Sequence, residues 1–366
     1  MKCRVGKSEK SNIKEGIEEA TKEINNPKLI IFSSDVANFE EYTKQLSIKF
    51  PKCIIIGTST YISLCKDGVY HKGVVVAAME EGIECYGDVL EKIDRYPLIY
   101  VERIENCVKK LSHTENTVCL EFTNGLINSE ESVLTTLNMV LENKKIPVFG
   151  GSAGDDLQAG YTLVSYNGKV YKEASVFVLI HNTKGKVKIY RENIYKPMKK
   201  FHVATKVDSF NRIVYEFDNR PAAQVMAEDL GISVNELPKH LDYNPLGRVM
   251  GGDIYITANK EVLKNNAMAF HARVYKNTQM VLLEPDNYHK INEETINKIQ
   301  SDISKPSFAV VIHCLARSLL YEGNGDINNL VRKLGNAIDG YIGISGYGEQ
   351  KGTINFNQTM ILAVFE

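Results

Sequence analysis

No stretch of 18 consecutive apolar residues occurs in this 366-residue chain, so no segment reads as a membrane-spanning helix. Met1 to Lys10 is polar and charged and lacks the apolar centre of a secretory signal. Excess charge is missing too: 44 Lys and Arg face 45 Asp and Glu, a net charge of -1, which leaves no field to draw nucleic acid or an anionic membrane. None of the seven cysteines has C-x-x-C spacing, which speaks against a zinc site or a disulfide framework. Cys53, Cys85, Cys119 and Cys314 lie in or beside apolar runs and read as small buried hydrophobes. A Walker loop, an H-E-x-x-H pair and a dinucleotide-binding fingerprint are also absent. The expectation is a cytoplasmic protein with neither nucleic acid nor a membrane as partner.

What is present is globular material. The chain is 43% hydrophobic and 24% charged, enough to build cores in two or three domains of about 100–200 residues each. The first half repeats itself. Leu29-Ile30-Ile31-Phe32-Ser33-Ser34 matches Val118-Cys119-Leu120-Glu121-Phe122-Thr123, both apolar runs ending in Phe and a hydroxyl residue. Cys53-Ile54-Ile55-Ile56-Gly57-Thr58-Ser59-Thr60 matches Ile146-Pro147-Val148-Phe149-Gly150-Gly151-Ser152-Ala153, strands that stop at glycine and open into small hydroxyls. Asp67-Gly68 matches Asn167-Gly168, two hairpin signals in which positive φ is tolerated. Helices are expected at 39–50 and 130–143, the second from Val133, Leu134, Leu137, Val140 and Leu141 at helical spacing. Two more helices are expected before the copies, at 13–24 and 100–111. The fold class read from this is α/β (α+β). A mixed-sheet N-terminal domain, 1–195, holds a duplicated strand-helix-strand-hairpin unit at 28–92 and 116–192. A smaller C-terminal α/β domain spans 196–366.

The paired glycine loops are the first candidate site. Gly57, Thr58 and Ser59 in one copy and Gly150, Gly151 and Ser152 in the other can bring backbone N–H groups close to an anion or carboxylate. Gly150-Gly151-Ser152-Ala153-Gly154 also matches G-x-S-x-G, a nucleophile elbow if a helix follows; an extended hairpin is expected there instead. Asp155 and Asp156 read as turn caps or ligands for a hydrated cation.

The second half has strands expected at 212–217, 253–257, 279–284, 308–312, 341–345 and 360–365, with helices at 222–230, 292–304 and 326–337. Residues 239–249 read as a loop. Polar residues at strand ends should gather along one rim, where a cleft is the place to look for a ligand.

The order of these motifs resembles the FIST family, with its N-terminal and C-terminal modules. Ile54-Ile55-Ile56-Gly57-Thr58-Ser59-Thr60, residues 74–78 and Gly150-Gly151-Ser152-Ala153-Gly154-Asp155 resemble the first module. Cys314-Leu315-Ala316-Arg317, Gly346-Tyr347-Gly348-Glu349 and Asn357-Gln358-Thr359 resemble the second. Ser318 and Gln350 depart from the usual pattern. The resemblance implies an intracellular sensory protein that binds an amino acid or small carboxylate. It implies signalling through a partner such as a histidine kinase or chemoreceptor, since no output domain is visible. For some members it implies heme and nitric oxide, for which His271 and His313 are the axial candidates here. Arg317 and Arg248 would meet an anionic ligand, or Arg317 would pair with Glu349. Cys314, beside His313 and Arg317, is a candidate reactive thiol. Tyr347, Glu349 and Asn357 complete the candidate ligand-binding set. The rival reading is an enzyme, with Ser152 or Cys314 as nucleophile.

Overall fold

A computed structural model describes residues 1–366 apart from the side chain of Lys199. The architecture is mixed α/β and divides into two compact units. The first comprises Met1–Glu192, Asn292–Asn355 and Met360–Glu366; the second comprises Asn193–Ile291 and Phe356–Thr359. This cut differs from the expected consecutive domains 1–195 and 196–366, because the chain leaves the first unit after Glu192 and returns to it at Asn292.

The first unit contains three copies of one motif where the sequence showed two. The first copy runs β1 (Lys2–Ser8), α1 (Ile13–Ala20), β2 (Leu29–Ser34), α2 (Phe39–Lys49), β3 (Ile54–Ser59), the hairpin β4 (Ser63–Cys65) and β5 (Gly68–Tyr70), then β6 (Val74–Glu81). The second repeats the order: β7 (Ile83–Glu91), α3 (Val101–Val108), β8 (Thr117–Thr123), α4 (Glu130–Leu141), β9 (Val148–Ser152), the hairpin β10 (Val164–Tyr166) and β11 (Lys169–Tyr171), then β12 (Ala174–Asn182). The third opens with β13 (Val187–Asn193) and is then interrupted.

The interruption is the second unit. It holds β14 (Tyr195–Asp208), β15 (Ile213–Phe217), β16 (Arg220–Pro221), α5 (Ala222–Leu230), β17 (Leu246–Met250), β18 (Asp253–Thr257), β19 (Asn259–Val262), β20 (Met268–Phe270) and β21 (Gln279–Pro285). The third copy then resumes with α6 (Tyr288–Asp302), β22 (Phe308–Cys314), α7 (Leu315–Gly323), α8 (Ile327–Ala337), β23 (Tyr341–Gly346), the hairpin β24 (Gly348–Lys351) and β25 (Ile354–Phe356), and β26 (Thr359–Phe365).

Sheet order makes the triplication explicit. The three sheets read β1-β6-β2-β3-β10-β11, β7-β12-β8-β9-β24-β25 and β13-β26-β22-β23-β4-β5. Each has an edge strand, a return strand and a parallel pair (β2 with β3, β8 with β9, β22 with β23). Each is completed by the hairpin of another copy: the second copy's hairpin joins the first sheet, the third's joins the second, and the first's joins the third. The exchange is cyclic, so no copy has a complete sheet of its own.

Local chemistry explains the elements. β2, β8 and β22 are buried along their whole length, so they read as mainly apolar runs without alternation. Val133, Leu134, Leu137, Val140 and Leu141 pack α4 onto a core with Cys119, Val148 and Phe177. Asn12 caps α1, its side-chain oxygen accepting from the N–H groups of Lys14 and Glu15. Asn167 (φ 47°) and Gly168 (φ 83°) form the expected two-residue turn. In the first copy Cys65 pairs with Gly68, so the turn residues are Lys66 and Asp67, one position before the expected Asp67-Gly68.

The second unit is one antiparallel sheet, ordered β18-β17-β21-β14-β15-β20-β19 with β16 beside β15. Its core gathers Phe217, Met226, Leu246, Phe270, Met280 and Leu282. Pro197 lies inside β14. It is in register with Leu283, and the register to β21 shifts between it and Phe201, next to a residue that has no N–H to give to the ladder. β17 occupies part of the expected loop 239–249, because its pairing with β18 and β21 outweighs local turn composition. β1 and α7 were also not expected from the sequence.

Gly346 tests the packing at the centre of the first unit. A Cβ added there would fall inside van der Waals contact of the Ser152 carbonyl oxygen, whereas at Gly323, the last residue of α7, it meets open space. Gly346→Ala should lower the denaturant midpoint by the equivalent of about 2–4 kcal/mol, an overpacking cost against backbone. Gly323→Ala should raise it by about 0.5–1 kcal/mol. Equal midpoints for the two variants would contradict the packing described.

Candidate functional site

The parallel strands of each copy end in the same three-residue pattern: Gly57-Thr58-Ser59, Gly150-Gly151-Ser152 and Gly343-Ile344-Ser345. These tips converge. Gly154 N–H donates to Ser59 O at 3.0 Å, Tyr347 N–H to Ser152 O at 3.1 Å, and Tyr61 N–H to Ser345 O at 3.0 Å. In each case the residue two past the serine reaches the serine carbonyl of another copy, which closes a ring of three equivalent bonds. Side chains add to it. Ser59 Oγ donates to Gly154 O at 2.7 Å, and Thr60 Oγ1 to Ser345 O at 2.7 Å.

The rim expected from the sequence is therefore present, but it is a packed junction and not an open cleft. Thr58, Ser59, Ser152 and Ser345 are buried. The space beside Gly57 is filled by the Phe32 ring, that beside Gly150 by the Glu121 carbonyl, and that beside Gly151 by Ile312. Asp155, also buried, ties down its own loop by accepting from Leu157 N–H and Gly160 N–H. Its Oδ1 takes the Tyr347 hydroxyl at 2.5 Å. The four cavities described in the structure are lined by other residues.

Ser152 does not have the surroundings of a nucleophile. Its Oγ donates to Glu130 at 3.0 Å and accepts from the Gln350 side chain at 3.0 Å. The chain continues into the β10–β11 hairpin and not into a helix. Across the same sheet lies Glu121, fully buried, its Oε2 accepting from Thr123 at 2.7 Å and Ser175 at 3.3 Å. Burial, with the charge of Glu130 adding to it, pushes the Glu121 carboxyl up to about 8, so it is protonated at neutral pH.

Arg317 is fully buried and forms an ion pair with Glu192, not with Glu349. Tyr321 accepts a second bond from the guanidinium at 3.2 Å and donates to Asn292 at 3.1 Å. Burial lowers the Arg317 pKa, but Tyr321 and Glu192 outweigh it and hold the group above its ordinary range. Glu349 is itself buried on β24, opposite Gly151. His313 Nδ1 bonds Ser318 Oγ at 2.7 Å, and Ser318 bonds Ser345 Oγ at 2.8 Å. Burial and the Arg317 charge hold His313 well below the usual imidazole range, so it is neutral. Cys314 is buried and stands at the N-cap of α7.

Arg248 and Asn357 belong to the second unit. Arg248 donates to Arg273 O at 3.0 Å, and Asn357 Oδ1 accepts from Ala258 N–H at 3.2 Å. His271 is held down to about 4 by burial and by Lys260 and Arg212.

His313 does not fit a heme. His313 is packed edge-on to Tyr321 at 5.7 Å, and a porphyrin needs an open face that this packing denies. No described cavity reaches His271 or His313. Among the described residues no group of three or more His, Cys, Asp and Glu is placed to hold a metal ion.

Sequence reasoning did not single out Glu192, Glu121, Glu130 or Ser345. Ser345 had a signal, the third G-x-S at a strand end. The partnership of Glu192 with Arg317 spans 125 residues and had none.

Two variants test these buried groups. Arg317→Met leaves Glu192 buried without its cation and should cost about 3–5 kcal/mol in denaturant unfolding. Glu121→Gln keeps the shape of the protonated acid. The native carboxyl binds its proton more tightly than the unfolded chain does, so its contribution falls as pH rises from about 4.5, the ordinary glutamate value. The loss levels off above about 8. The variant should flatten the decline in stability between pH 5 and 8 and be the more stable protein at pH 8. Parallel pH profiles for the two proteins would refute this assignment.

Comparison with known proteins matches the FIST N domain model to residues 28–220 and the FIST C domain model to residues 222–351. A relative from Methanocaldococcus jannaschii, the uncharacterized protein MJ1623, is 28% identical over 320 residues. That match takes in 77% of this chain and 59% of the relative, so the chain spans less than two thirds of that protein's length. No helix in the described residues is long and apolar enough to cross a membrane.

Proposed function

The chain belongs to the FIST family, and from that premise we propose that it is a ligand-responsive signalling module. The ligand is a small molecule of the amino-acid or small-carboxylate class, and the output passes through a partner protein such as a histidine kinase or chemoreceptor. The observation that carries this reading is the presence of both family modules, in order, on one chain. FIST domains are associated with signal-transduction sensing.

The ring of strand tips supports it as the responsive element. Three sheets share three bonds there, so a displacement at Ser59, Ser152 or Ser345 is felt in all three. Packed junctions of this kind have discrete arrangements instead of deforming smoothly. Gly57, Gly151, Asp155 and Tyr347 take part as the framework of that ring. The hydrolase alternative draws no support from Ser152, whose oxygen is occupied by Glu130 and Gln350.

A thermal-shift screen with amino acids and small carboxylates tests the proposal. A ligand at 100 times its Kd should stabilise the protein by about 2.7 kcal/mol. The same compound should change the recovery of a co-purifying partner. A screen without any saturable shift, together with a partner profile indifferent to every compound, overturns the reading.

A further inference from the structure

The pseudo-threefold repeat supplies an internal control for surface charge. In the first copy, the edge strand β1 and helix α1 frame a cavity of about 340 Å³. Its charged lining is balanced: Arg4, Lys7 and Lys22 against Glu19, Glu23 and Asp67. In the third copy the equivalent pair, β13 and α6, frames a cavity of about 420 Å³. Its charged lining is Lys188, Arg191, Lys298 and Lys351 against Asp302 alone. The frame is the same and the charge is not.

The one carboxylate is engaged. Asp302 pairs with Lys188 at 3.4 Å and accepts the Tyr190 hydroxyl at 3.2 Å. Lys351 is half-buried, and its ammonium is held below its ordinary value by burial and by the charges of Arg191 and Lys298. Like charges gathered in a recess with too few countercharges repel one another, and an anion entering the recess relieves that repulsion. The volume falls within the roughly 300–1,000 Å³ of small-molecule sites.

We propose that the recess between β13 and α6 binds a small multivalent anion bearing phosphate or carboxylate groups, held by Arg191, Lys298 and Lys351. This rests on the signalling reading only for the consequence of binding; the site itself stands on the recess. A route for that consequence begins beside it. Arg191 precedes Glu192, which holds Arg317, and the next residue, Ser318, bonds Ser345 of the ring.

Titration with sodium pyrophosphate and with sodium citrate, each against sodium chloride at matched ionic strength, tests the site in the full chain. The expected result is a saturable rise in Tm and a calorimetric binding isotherm with at least one of the two. Lys298→Ala and Lys351→Met should each weaken the affinity by about fivefold or more, as loss of a charged contact does. Lys22→Ala, in the balanced cavity of the first copy, should leave it unchanged. Preference for pyrophosphate assigns a phosphate ligand, and preference for citrate a carboxylate one. If Lys351→Met does not fold, Lys298→Glu carries the test alone, since Lys298 is exposed. A response no greater than that to chloride, or one unaltered in the Lys298 variants, overturns the proposal. Tight anion binding without any effect on partner recovery leaves the site standing and separates it from the signalling reading, which the amino-acid and carboxylate screen tests on its own.

Discussion

Three backbone hydrogen bonds, from Gly154 to Ser59, Tyr347 to Ser152 and Tyr61 to Ser345, tie the strand tips of the three copies into one ring. Most other features of the first unit depend on them. The tips can approach closely only because glycine stands at Gly346 and Gly154, where a Cβ would meet backbone. The cyclic exchange of hairpins follows from the same closure, since the chain that leaves each tip feeds its hairpin into the sheet of another copy. Each copy therefore lacks one flank of its own sheet. A single copy would expose an edge of unpaired backbone groups, and that edge is what the exchange covers.

Around this ring the interior is unusually polar for a core. Ser33, Ser59, Thr60, Ser63, Ser152, Ser318 and Ser345 are all buried, and each has a partner. Hydroxyls suit such a place because one oxygen both donates and accepts. The ionisable groups are handled in different ways. Glu121 stays protonated, His313 stays neutral, and Arg317 keeps its charge by pairing with Glu192. The same burial thus gives three outcomes, decided by whether a countercharge lies within reach. The Arg317–Glu192 pair also joins α7 to the strand that precedes the inserted unit, so it fixes the third copy across its interruption.

Much of this was legible in the residues. The apolar runs at Leu29–Ser34 and Phe308–Cys314 gave strands directly, because burial on both faces leaves an unbroken apolar run, and the spacing in α4 gave a helix, because burial of one face leaves a period. The first two copies showed themselves because each is contiguous. The third was hidden because Asn193–Ile291 separates its edge strand from its first helix, and a repeat search along the chain sees only the remnant. The glycine loops, read from the sequence as a place to hold an anion or carboxylate, are where the copies meet. Their state was not legible: Gly57 could have made room for a ligand or for Phe32, and only tertiary packing decides which. Likewise Arg317 had to find an acid, but nothing local distinguishes Glu349, placed near it by motif order, from Glu192 on β13.

A triplicated frame also changes how surface charge is to be understood. Where three sites share one backbone plan, the fold accounts for what they have in common, and their differences need another cause. The recess of β1 and α1 shows that this frame is stable with its charges balanced. Folding therefore does not require that Lys188, Arg191, Lys298 and Lys351 be gathered against one acid in the third copy. Burial depresses the affinity of Lys351 for its proton, and the gathered charges of Arg191 and Lys298 depress it further, which is the cost of gathering them. A cost borne in the third copy and not in the first, with no structural return in the frame itself, is the physical ground for looking there for a bound anion.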